Sequence, residues 1–132
     1  MVKRDDSERP SPTTAELDVL QVLWKRGAST VREVHELISR DKPIGYTTAL
    51  KQMQVMHEKG LLVRTERFRA HVYEPGVPQT QTRRQLAQTL LTRAFDGSAR
   101  ELLQSALAGR DVTRAEIAEI RGLLDALDQR RP

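Results

Sequence analysis

The stretch from Gly45 to Tyr73 constrains the fold more than any other, because a helical period gives way to a strand period at one junction, Lys59-Gly60. At 3.6 residues per turn, a helix beginning at Gly45 or Tyr46 and running over about 46 to 59 puts Ala49, Leu50, Met53 and Met56 on one flank. Thr47, Thr48, Lys51, Gln54 and Val55 fall on the other. Lys59 adds a cation to the last turn and Gly60 tolerates positive φ, so the helix ends there. Leu61-Leu62-Val63 and His71-Val72-Tyr73 then read as strands on either side of Arg64-Thr65-Glu66-Arg67-Phe68-Arg69-Ala70, with three arginines on or beside a hairpin tip. A helix with one packing flank and one open flank, followed by a basic hairpin, is the back half of a winged helix-turn-helix.

Capping signals divide the rest of the chain. Thr13 stands three residues before Glu16, the spacing of a capping box, and Leu17, Leu20, Leu23 and Trp24 follow at helical intervals until Gly27, which predicts a helix over about 14 to 26. Thr30 with Glu33 repeats the device, and Val31, Val34, Leu37 and Ile38 form the next stripe before Arg40-Asp41-Lys42-Pro43 breaks it. Ile44 is expected to make a short strand contact. After the hairpin, Gly76, Pro78 and Gln79-Thr80-Gln81-Thr82 read as a hinge. A helix over about 80 to 95 then turns Leu86, Leu90, Leu91, Ala94 and Phe95 inward and stops at Asp96-Gly97. Ser98 with Glu101 caps a short helix carrying Leu102, Leu103, Ala106 and Leu107, which Gly109 ends, and Thr113 with Glu116 caps the last helix. The expected fold class is mainly α with a small β-hairpin wing: a flexible arm at 1–12 ending in Pro10-Ser11-Pro12, a winged helix-turn-helix at 13–77 and a three-helix region at 78–132.

Ile117, Ile120, Leu124 and Leu127 are spaced 3, 4 and 3, the pattern of a helix seam, over too short a length for an independent coiled coil. The 54 residues after Pro78 carry three short amphipathic helices with little bulk to cover their own stripes, and domains of about 60 residues are already marginal. Only 4% of the chain is aromatic, so its cores rest on aliphatic side chains and gain from association. A homodimer is therefore expected, joined through Leu86, Leu90, Phe95, Leu103, Leu107, Ile117, Ile120, Leu124 and Leu127.

The net charge of +4 suits a polyanionic partner, yet residues 1–78 carry 13 basic against 11 acidic side chains and residues 79–132 carry 9 against 7, so local clustering must carry the argument. The absence of cysteine excludes disulfides, thiolate metal sites and a cysteine nucleophile. The N-terminus has no apolar core of the kind a signal peptide needs, and no apolar run approaches the roughly 20 residues of a membrane span. A cytoplasmic protein without membrane insertion is expected.

Direct readout of DNA needs short donors and acceptors near the start of a helix in the major groove, and Thr47, Thr48 and Lys51 have that placement. Gln52 and Gln54 can reach an adenine edge or a phosphate. Val55 fits a thymine methyl or a packing position equally. Arg64, Arg67 and Arg69, opposed only by Glu66, suit a phosphate backbone or a minor groove, although a solvated edge that blocks strand aggregation has the same composition. Phe68 fits a contact with sugar or backbone, or a fold back onto the hairpin. Trp24, Leu20 and Leu23 read as core. His35, His57 and His71 lack metal-ligand spacing and fall on separate elements, Ser29, Ser98 and Ser105 lack a nucleophile elbow, and there is no phosphate-binding glycine loop. No cofactor or metal is expected, and no convergent titratable set supports an enzyme. The competing function is a winged-helix module that binds protein through the same helix face; that version would more naturally expose apolar area at the wing than three arginines.

The chain resembles the BlaI/MecI penicillinase-repressor family. The resemblance is carried by Glu16, Val19, Leu20 and Leu23-Trp24, by Thr30-Val31-Arg32-Glu33-Val34, and by Tyr46-Thr47-Thr48 with Leu50 and Met53. Lys59-Gly60-Leu61-Leu62, Arg64 and Tyr73-Glu74-Pro75 continue it, and it extends from Thr13 to Leu127. It implies a homodimeric transcriptional repressor whose winged helices bind a palindromic operator in double-stranded DNA, in a beta-lactam resistance or related stress operon. It also implies a membrane sensor with protease activity that inactivates the repressor by cleavage. The family's Asn-Phe cleavage dipeptide falls on Ser105-Ala106 here, and the cysteine motif of copper-responsive members has no counterpart.

Overall fold

The computed structural model describes residues 11–132. The element order is α1 (Thr14–Arg26), α2 (Val31–Ser39), α3 (Tyr46–Glu58), β1 (Leu62–Arg67), β2 (Ala70–Pro75), α4 (Gln79–Ala94), α5 (Ala99–Leu107) and α6 (Arg114–Gln129). The expected mainly helical chain with a hairpin wing is what folds. Of the expected N-terminal arm, residues 1–10 lie outside the described residues. Of its last two, Pro12 is buried and the Ser11 hydroxyl lies 3.0 Å from that of Thr89.

Both boxes at the front of the chain close fully. The Thr13 hydroxyl accepts from the Glu16 amide and the Glu16 carboxylate accepts from the Thr13 amide at 2.9 Å, and Thr30 and Glu33 do the same for α2. At α5 and α6 the hydroxyls of Ser98 and Thr113 accept from Glu101 and Glu116 in the same way. There the glutamates face arginines instead of completing the box, Glu101 at 3.7 Å from Arg100 and Glu116 at 3.6 Å from Arg110.

By packing, the described residues divide into one unit that ends at Thr89 and a second that begins at Leu90, a boundary inside α4. The first unit has one core: Val19, Leu20 and Leu23 from α1, Val31, Val34 and Ile38 from α2, Ala49, Met53 and Met56 from α3, then Leu62 and Tyr73, with Trp24, Ile44, Leu50 and Leu61 against its edge. Each fully buried aliphatic side chain contributes about 1.5–3 kcal/mol relative to exposure, so α3 is held chiefly by Met53 and Met56. The second unit contrasts with this, for neither α5 nor α6 has a buried residue.

The hairpin departs from expectation in two ways. Its strands pair antiparallel from Leu62↔Pro75 to Arg67↔Ala70, so the loop shrinks from seven residues to Phe68-Arg69. Both of these have positive φ, 52° and 64°, the signature of a two-residue type I′ connection. The third strand contact comes from Ser29 and not Ile44. Ser29 and Tyr73 exchange both backbone hydrogen bonds, at 3.0 and 2.8 Å. The Ile44 carbonyl is already occupied, 2.7 Å from His35 Nε2 and 3.5 Å from the Ser39 hydroxyl that donates to it. At the other end of the hairpin, the Gly76 amide donates to the Leu61 carbonyl, and a Cβ at Gly76 would stand 2.6 Å from the Gly60 carbonyl oxygen, so the chain leaves β2 where only glycine fits.

Candidate nucleic-acid interface

The packing flank of α3 is Ala49, Met53 and Met56, all buried, with Leu50 half-buried. Its other flank is open: Thr47, Thr48, Lys51, Gln54 and Val55 are exposed, and Val55 at 37% has enough free surface to meet a thymine methyl. Gln52 is set apart from them. It is half-buried and lines a groove of about 430 Å³ with Thr13, Glu16, Thr47, Thr48, Lys51, Val55 and Lys59. A second groove of about 390 Å³ lies along the opposite flank of α3, between Tyr46 and Leu50, the start of α2 and the Ala70, His71 and Tyr73 positions of β2. The open face of the helix thus forms a ridge whose side, through Thr47, Thr48, Lys51 and Val55, is a wall of the first groove, with the wing beside its N-terminal half.

Three contacts fix that ridge. Glu16, 5% exposed at the start of α1, receives the Lys59 ammonium at 3.1 Å from the end of α3. Burial alone would raise the Glu16 pKa. Hydrogen bonds from the Thr13 amide and from Lys59, with the charge of Lys59, outweigh it and hold the carboxyl below its ordinary value. A carboxyl lowered in the folded chain contributes stability that is present above its unfolded pKa and is lost as pH falls through the folded value. Glu16→Gln is therefore expected to lower stability near neutral pH by about 1–2 kcal/mol, Lys59 being half exposed, and to flatten the loss of stability below about pH 4.5. Denaturant titrations of both proteins between pH 3 and 7 measure this, and parallel curves would remove Glu16 from the acid response. The second contact is His35, whose ring meets Tyr46 edge to face at 5.8 Å while Nε2 reaches the Ile44 carbonyl, so α2 sets where α3 begins. Sequence reading gave His35 no role, and only tertiary proximity reveals one. The third is the Ser29–Tyr73 bridge at the base of the wing.

Arg64, Arg67 and Arg69 are all exposed, but they do not share one face. Side chains alternate along a strand, so Arg64 lies with Leu62 and Tyr73 while Arg67 lies on the opposite side with Val63 and Thr65. Arg69 occupies the turn itself. Glu66 faces His71 across the hairpin, 3.9 Å between Oε1 and Nε2. Phe68 does not fold back; it is 95% exposed.

Of the positions expected at a dimer seam, Leu90, Leu103, Ile117, Leu124 and Leu127 are exposed, and Leu86, Phe95, Leu107 and Ile120 are half-buried. Leu123, at 67% exposed, widens the α6 stripe; its spacing of three from Ile120 and four to Leu127 was available in the sequence but lay behind the 3, 4, 3 pattern. Ser105 and Ala106 are exposed on α5. Among the described residues no group of three or more His, Asp or Glu is placed to hold a metal ion, and no helix is long and apolar enough to cross a membrane.

Comparison with known proteins gives a consistent assignment. The family model described as penicillinase repressor matches residues 12–126. The chain is 23% identical over 122 residues to the penicillinase repressor of Bacillus licheniformis, covering 92% of this chain and 95% of that one. It is 32% identical over 84 residues to the transcriptional regulator BlaI of Mycobacterium tuberculosis, covering 63% and 61% respectively. Among solved structures, the DNA-binding domain of the repressor BlaI superposes with a TM-score of 0.50 at 26% identity, over 56% of this chain and 90% of that domain.

Proposed function

The chain belongs to the penicillinase repressor family, a family of transcriptional repressors, and from that premise we propose that it is a sequence-specific DNA-binding repressor that acts as a homodimer on a palindromic operator. The observation that carries the reading is the open face of α3, where Thr47, Thr48 and Lys51 stand exposed above a packed methionine flank with a basic hairpin alongside. Thr47, Thr48, Lys51, Gln54 and Val55 read base edges, while Gln52 and the wing arginines Arg64, Arg67 and Arg69 hold the backbone. The protein performs no catalysis, and its work is occupancy: a repressor bound near a promoter excludes RNA polymerase.

Symmetry completes the mechanism. Residues 13–77 form the reading domain and residues 78–132 the dimerisation domain, in which the unburied faces of α5 and α6 meet their copies through Leu103, Leu107, Ile117, Ile120, Leu124 and Leu127, with Leu90 and Phe95 contributing from before α5. Two reading helices on one face of the duplex convert the second contact into an intramolecular one. Loosening or cleaving α5 or α6 removes that gain, which makes the tail a sensible target for inactivation by a membrane sensor and its protease in a cytoplasmic, beta-lactam resistance or related stress response. The exposed Ser105-Ala106 pair lies where such cleavage falls in the family, with side chains unlike its usual dipeptide.

Fluorescence anisotropy against the DNA upstream of its own gene and a shuffled control, over a salt series and beside light scattering, tests the reading. The expected result is a preference of about a thousandfold or more, falling steeply with salt and saturating at two chains per site. No binding to either DNA at low salt would overturn it in favour of a protein-binding winged helix.

A further inference from the structure

The wing ends in a turn that its residues do not favour. In a two-residue type I′ connection both central positions have positive φ, which is why Asn-Gly and Asp-Gly dominate there. This chain instead places Phe68 at φ 52° and Arg69 at φ 64°, and a bulky side chain in that region is a backbone outlier. The turn also leaves the phenyl ring 95% exposed, although a folded-back ring would have removed apolar area from water. Strain and exposure therefore coincide on one side chain, and strain of this kind gathers at sites that contact a ligand.

From this we infer that Phe68 is an apolar wedge for the minor groove of DNA, a specificity-determining residue that adds to the reading face of α3. The inference rests on the DNA-binding function proposed above. The partner follows from the surroundings of the ring. Arg67 and Arg69 flank it, both exposed, while the single nearby carboxylate, Glu66, faces His71 across the hairpin. The strands run beside the N-terminal half of α3, and Ala70, the last paired position, lines a groove with Tyr46 and Leu50, so the turn projects just past the start of the reading helix. With α3 in the major groove the tip lies at the neighbouring backbone and minor groove. Arginines read the narrowness and negative potential of that groove, and an aromatic ring between them lies against sugars or enters a flexible base step. The selectivity added is for a deformable step at a fixed distance from each half-site.

The test uses the full chain and a duplex selected by the wild-type protein from a random library. Affinities of wild type, Phe68→Ala and Phe68→Leu are measured over a KCl series, with hydroxyl-radical footprints of each complex. Phe68→Ala is expected to lose about tenfold in affinity at every salt concentration with an unchanged salt slope, since no charge is removed, and to lose sugar protection at one minor-groove position per half-site. Phe68→Leu is expected to recover most of both. A Phe68→Asn, Arg69→Gly double variant supplies a turn that favours this geometry, so it retains the hairpin while removing the ring; it is expected to lose affinity as well, with a salt slope smaller by about one. Binding by Phe68→Ala within twofold of wild type, or an unchanged footprint, overturns the wedge and leaves the repressor reading intact. A wild-type protein that selects no duplex overturns both.

Discussion

Replacing Ile120 and Leu124 together by glutamate is expected to separate the two protomers and to cut affinity for the operator by a factor of about 10² to 10⁴, the range by which linked sites exceed single ones. In one chain Leu124 is 54% exposed and Ile120 half-buried, so the substitutions cost the isolated fold little. In a symmetric seam each glutamate meets its own copy, and four carboxylates would be desolvated without partners. The reading domain has its own core and stays folded, so the variant would bind as a monomer with a shallow salt dependence. Sedimentation velocity and anisotropy on the same samples separate the possibilities. A stable dimer with undiminished affinity would show that α6 is not the seam.

The double variant Thr47→Ala, Lys51→Ala is expected to lose about a hundredfold in affinity for the operator while remaining as stable as wild type. Each good base contact is worth about 1–3 kcal/mol of discrimination, and both side chains are exposed and outside the core. Binding to shuffled DNA should fall much less, because only Lys51 carries charge and its loss lowers the salt slope by about one. The ratio of the two losses is the informative quantity. Equal losses on both DNAs would place these residues on phosphates; no loss on either would remove the open face of α3 from the interface.

What could be read from the sequence was what depends on near neighbours along the chain. The Thr13–Glu16 and Thr30–Glu33 boxes act across three residues, and the flanks of α3 follow from helical periodicity, so both stand in the structure where spacing put them. What depends on distant neighbours could not be read. Glu16 was visible as a capping residue, but its bond to Lys59 joins positions 43 apart and exists only once α1 and α3 have packed. Ile44 was expected to carry the strand contact because it precedes α3; Ser29, distant in sequence from the hairpin, carries it instead, and the Ile44 carbonyl serves His35 and Ser39. The Phe68-Arg69 turn was illegible for another reason. Sequence rules for tight hairpins look for Asn or Gly, and here pairing as far as Arg67↔Ala70 imposes the turn on residues that do not prefer it.

The bridge between Ser29 and Tyr73 sets up a gradient of stiffness along the wing. An isolated two-stranded hairpin is marginal in water, but this one is stitched at its base to the α1–α2 turn, with Tyr73 fully buried beside the stitch. Amides at that end should exchange with solvent only when the whole domain opens, whereas those near Arg67 and Ala70, on a strained turn with no cover, should exchange by local fraying. The wing therefore resembles a cantilever, clamped where it leaves the core and compliant where it ends. A protein scanning duplex can hold its reading helix in one orientation while the tip follows grooves of differing width, so the search for a site and the fit to it are served by opposite ends of the same hairpin.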